Sequence, residues 1–141
     1  MTFNVQNTSI AAQLVNPVYS STSWAPVFVA ANPPGSIQFT NFNVVAAYFT
    51  QVDKVVNFSI RFTVNVAAPG GENTGNFTIT PPVPRLVNNF NVGAITTLSQ
   101  VGLFGNMGQN GQLLQASMAN AAGVINVVGA QMQLLGSYVV E

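Results

Sequence analysis

Asp53, Glu72 and Glu141 are the only carboxylate side chains in the sequence, and Lys54, Arg61 and Arg85 the only cationic ones. Acid–base, metal-assisted or glycosidic chemistry would have to be built from these six groups. Histidine, the commonest general base and nitrogen ligand, is absent. Cysteine is absent too, which removes thiolate nucleophiles, thiolate metal sites and disulfides. Two carboxylates could serve a glycosidase only if they converged across a cleft. Asp53 adjoins Lys54 at a tight turn, Glu72 lies in a Gly-rich loop and Glu141 is the final residue of the sequence. These contexts point to solvated turn and loop charges, so no enzymatic activity, metal or cofactor is expected. Gly70-Gly71 and the glycines between Gly105 and Gly111 lack a following Lys in P-loop register and read as turns. The Asn-X-Ser/Thr triplets at Asn7, Asn57 and Asn76 are read as chance products of an amide- and hydroxyl-rich chain.

Recognition by surface contact is the remaining chemistry. Trp24, Tyr19, Tyr48 and Tyr138 each offer a flat apolar face with a polar edge, as a sugar-stacking platform would. They are dispersed along the chain, which favours packing in a core or an interface. Arg61 falls on the polar side of an alternating segment, where it pairs with Glu72 or Asp53 or meets a neighbouring subunit. Arg61, Trp24 and Tyr48 are therefore the interface candidates.

The elements that position these residues are constrained by composition. The 141 residues correspond to one domain, 48% hydrophobic and only 4% charged, against about 25% charged in ordinary soluble domains. No charge occurs from Met1 to Val52 or from Leu86 to Val140. Asn, Gln, Ser and Thr supply the polarity, and such groups enter hydrogen-bonded contacts without the desolvation cost of an ion. Net charge is +0 with no basic cluster, so nucleic acid is not an expected partner. Met1–Gln6 shows no positive n-region followed by an apolar h-region, so no secretory signal is expected. Every apolar run is interrupted before a helix could span a bilayer, and paired aromatic girdles of a membrane barrel are missing. A membrane location is not expected.

Residues 55–66 alternate strictly, with Val56, Phe58, Ile60, Phe62, Val64 and Val66 on one side, the pattern of a half-buried strand. Upstream, 36–40 and 43–50 predict two strands or one bulged strand, joined to it by a tight Asp53-Lys54 hairpin turn. Further strands are predicted at 76–80, 94–101, 112–118, 123–128 and 131–140, with a loop over 105–111. Residues 116–122 have helical propensity as an alternative. Residues 1–35 form an N-terminal extended arm or adapter, which reaches a neighbour or folds back onto its own domain. The expected fold is all-β, an antiparallel β-sandwich over 36–141.

From Tyr48 onward the order of features resembles the β-sandwich domain of bacteriophage tail-fibre and other virion proteins, related in architecture to the jelly-roll head of the C1q and tumour-necrosis-factor superfamily. Tyr48–Ser59 carries the resemblance as a Tyr strand, a short hairpin with Asp53 where Gly is usual, and a Val-rich strand. Phe62-Thr63-Val64 and Thr74–Val83, a Phe-Thr-Ile strand ending at proline, complete it. The resemblance implies a homotrimeric jelly roll located in the virion, as a capsid decoration, spike or fibre component contacting other capsid proteins. It also leaves room for a head that binds a host receptor or glycan.

Overall fold

The alternation in 55–66 becomes a long interior strand of the sheet. The computed structural model describes residues 21–68, 74–84, 87, 93–97, 103–120 and 126–141. Among them are the strands β1 (Thr22–Ser23), β2 (Phe28–Ala30), β3 (Gln38–Val52), β4 (Val55–Ala67), β5 (Thr74–Ile79), β6 (Gly93–Thr97), β7 (Leu103–Asn110), β8 (Leu113–Asn120) and β9 (Asn126–Val139). All pairings are antiparallel, in one curled, sandwich-like sheet of order β1-β3-β4-β9-β6-β7-β8-β5-β2. The inward residues of β4 join Phe39, Phe77, Ile79, Met107, Leu114, Met118, Met132 and Leu134 in a continuous core. Strands β5 to β8 make a Greek key, since β5 returns to lie beside β8.

The segments predicted at 36–40 and 43–50 prove to be one bulged strand, β3, which starts at Gln38 and has register shifts between Thr40 and Asn43 and between Val44 and Ala46. Its hairpin with β4 turns tightly, as Val52 faces Val55. Asp53 has a φ of 52°, the left-handed region in which Gly is most at ease and Asp is tolerated. The predicted loop over 105–111 is corrected: Leu103–Asn110 is strand β7, and only Gly111-Gln112 turns. Hydrogen bonding to β6 and β8 on both sides overrides the weak strand propensity of its glycines and amides. Residues 116–120 are strand, not helix. The two C-terminal strands are one, β9, kinked where Gly129 (φ 68°) donates its N–H to the Asn65 side-chain oxygen at 2.9 Å. Within the predicted arm, residues 22–23 and 28–30 supply the two edge strands, while residues 1–20 lie outside the described residues.

A sheet with one apolar face must wrap that face, and here its two ends meet along a seam. Phe28 of β2 stacks on Phe42 of β3 with ring centroids 4.7 Å apart, and both contact Phe62 and Phe77. Ile37 donates its N–H to the Thr74 carbonyl at 2.8 Å. Gly75 is required there, since a Cβ would lie 2.7 Å from the Ile37 carbonyl oxygen. Asn32 bridges the gap as a surrogate peptide. Its side-chain amide donates to the Phe39 carbonyl and its side-chain oxygen accepts from the Phe39 N–H, both at 2.8 Å.

At the other end, the buried Tyr138 hydroxyl donates to the Val83 carbonyl at 2.9 Å and accepts from the Val83 N–H at 3.0 Å. This pins the proline-rich segment after β5. Burial pushes the phenol up to about 12, opposed by the backbone hydrogen bond.

Two predictions follow from the seam and the pin. Asn32→Ala loses about 2 kcal/mol in urea unfolding, and Asn32→Asp loses at least as much, because a carboxylate cannot donate to Phe39. Because the folded-state value for Tyr138 lies above the ordinary 10, its contribution is constant below pH 10 and lost as pH rises toward 12. Stability should fall by on the order of 2 kcal/mol across that window relative to a Tyr138→Phe variant, read from pH-dependent unfolding.

Candidate interaction surface

The strand pairing fixes which outward side chains share a face. Tyr48 of β3 stands opposite Ser59 of β4, which stands opposite Leu135 of β9. Ser23 of β1 and Ala94 of β6 extend the row at either end. One row toward the hairpin lie Thr50, Asn57 and Ser137, and beyond them Val52, Val55 and Val139. In the other direction the row is Ala46, Arg61 and Gln133.

This face is unusually apolar for an outer surface. Among the described residues, eight of the twelve exposed large hydrophobic side chains belong to β3, β4 and β9. Tyr48 and Leu135 are 50% and 49% exposed, and Val128, at the β9 kink, is 85% exposed. The intervening polar groups are hydroxyls and amides, each both a donor and an acceptor, except for Arg61. Strands that carry this many exposed apolar side chains, set among hydroxyls and amides, have the character of a contact surface.

The three interface candidates separate. Tyr48 and Arg61 lie on this face as diagonal neighbours, because Tyr48 faces Ser59 and Arg61 faces Ala46. Among the described residues Arg61 makes no ion pair. Glu72 lies outside those residues, and Asp53 is at the far end of the hairpin. Trp24 instead seals the inside. It is half-buried, meets Phe49 and Phe58 edge-on at 6.0 and 6.3 Å, and donates its indole N–H to the Thr80 carbonyl at 3.3 Å. Leu135, Val139 and Val128 were not singled out by sequence reasoning. The alternation of 131–140 marks Leu135 and Val139 as outward, but only the long-range β4–β9 pairing brings them onto the face that carries Tyr48, while Val128 lies beyond that alternation at the β9 kink.

Among the described residues, the charged side chains other than Arg61 gather at one edge. Val140 donates its N–H to the Lys54 carbonyl at 2.8 Å, which brings Glu141 to the Asp53-Lys54 turn. All three are exposed. A groove of about 500 Å³ between the β5–β8–β7 strands and the Pro33–Ser36 segment has only uncharged lining, including Asn76, Asn106, Ser117 and Met118. A shallower depression of about 240 Å³ lies around Tyr48, bordered by Ser21, Thr50, Asn57 and Ser59. Among the described residues no group of three His, Cys, Asp or Glu could hold a metal ion. No protein-family model, characterised protein or solved structure shows significant similarity to the chain.

The division of roles is testable by stability. Trp24→Ala should destabilise by roughly 2–3 kcal/mol, since it removes a half-buried ring and a seam hydrogen bond. Tyr48→Ala should change stability by no more than about 0.5 kcal/mol in the same unfolding experiment.

Proposed function

We propose that the chain is a non-enzymatic structural subunit of a virus particle, a minor capsid, decoration or spike component that stabilises the particle through subunit contacts. The observation that carries this reading is the outer face of β3, β4 and β9, apolar and amide-rich with Arg61 as its one charge. A free-standing domain ordinarily disperses charge over such a surface for solubility. A subunit whose surface is covered by neighbours avoids desolvating ions by lacking them. Its partners are other copies of the chain and other capsid proteins. The interior is a continuous apolar core, where a membrane barrel has a polar lumen.

A second reading, a receptor- or glycan-binding head, draws on the depression at Tyr48, where an exposed ring is bordered by hydroxyl and amide groups. It requires glycan binding that Tyr48→Ala abolishes.

Sedimentation of the isolated chain at low and high concentration tests the first reading. A concentration-independent oligomer is expected, and its mass should be unchanged between about 0.1 and 1 M NaCl, because ion pairs, which salt screens, do not hold it. A monomer at every concentration would count against self-association and leave only contacts with other proteins.

A further inference from the structure

We propose that the β3–β4–β9 face is covered by the same face of a second copy, related by a two-fold axis running along the Tyr48–Ser59–Leu135 row. The inference rests on the subunit reading above and specifies the surface and symmetry through which copies meet.

Two sheets that pack face to face align their strands to within about 30° and interdigitate side chains. A two-fold contact adds a stricter demand: each group must be compatible with its symmetry mate. An axis along the row sets Tyr48 on Tyr48, Ser59 on Ser59 and Leu135 on Leu135. The flanking rows exchange, so Ala46 meets Thr50, Arg61 meets Asn57 and Gln133 meets Ser137. No like charges face one another in this arrangement. The guanidinium of Arg61, which has no ion-pair partner among the described residues, finds the neutral carbonyl oxygen of an Asn57 amide. Hydroxyl and amide groups satisfy their own copies because each donates and accepts, which a face of carboxylates or ammonium groups could not do.

The dimensions are adequate. Strands of 15, 13 and 14 residues compose the face. At about 4.8 Å between strands and 3.3 Å per residue they cover roughly 670 Å² in projection, before side-chain relief is added. A stable contact covers about 800 Å² of accessible surface on each partner. The opposite flank, β2, offers Val27 and Val29 as exposed apolar side chains but only three strand residues.

Sedimentation equilibrium on the full chain and three variants tests the proposal. Tyr48→Glu and Leu135→Glu bury a carboxylate against its own symmetry mate and should each halve the mass, with the far-ultraviolet circular dichroism unchanged. Val29→Glu, on the β2 flank, should keep the wild-type mass. The wild type should contain an even number of copies, two or, where threefold contacts also form, six. A mass of three copies would overturn the two-fold face and leave the subunit reading standing, whereas a monomer at every concentration would overturn the two-fold face and with it any self-association, leaving only contacts with other proteins. An even mass that survives both Tyr48→Glu and Leu135→Glu would also overturn the proposal, since a different surface would then hold the copies together.

Discussion

Closure of the curled sheet along its seam is the constraint on which the rest of the molecule depends. Nine strands with one apolar face would expose that face if the sheet stayed open, and no helix among the described residues is available to cover it. The stacked Phe28 and Phe42 rings, the Asn32 bridge to Phe39 and the Trp24 indole across to Thr80 bring the two ends together. The bulges in β3 and the Gly129 kink in β9 supply the local bending that a flat ladder would resist. Once the seam closes, every inward position of β4 is dry, and every outward one belongs to a surface whose composition is free to answer a different requirement.

That requirement is met with Arg61 as the one ion. On the outer rows of β3, β4 and β9, positions that ordinarily carry Lys and Glu are Thr, Asn, Ser and Gln, with valine, leucine and tyrosine among them. Hydroxyls and amides lose less on leaving water than charges do, provided that each finds a partner. The interior follows the same economy, since apart from the Tyr138 hydroxyl no polar or charged side chain is buried among the described residues. Specificity therefore has to come from shape and hydrogen-bond register rather than from buried ion pairs.

Much of this was legible in the sequence where a pattern is local. The period-2 run in 55–66, the Asp53-Lys54 turn and the proline stop after Thr80 all rest on neighbours within a few residues, and the structure follows them. Strand β7 was not legible, because Gly105, Gly108 and the amides around Met107 carry turn propensity, and only β6 and β8 on either side hold them extended. Trp24 shows the same limit. Its position in sequence gives no reason to set it against Phe49, Phe58 and the Thr80 carbonyl, which closure alone brings near. The candidate face was half legible: alternation tells which side chains of β3, β4 and β9 point together, but not that β9 lies beside β4.

The closed seam also limits how copies of the chain can meet. An open sheet edge invites growth by strand addition, and natural sheets blunt their edges by short strands, bulges or cover. Both edge strands here are short, at two and three residues. The long strand behind β1 is covered at Phe39 by the Asn32 amide and at Ala47 by the Trp24 N–H. Between those points, residues 40–46 carry both register shifts, and Asn41 has a φ of 55°. A straight incoming strand cannot pair continuously with such a segment. Association through backbone hydrogen bonds is thereby disfavoured, and the surface left to hold copies together is one of side chains, where the Tyr48, Leu135 and valine positions are concentrated.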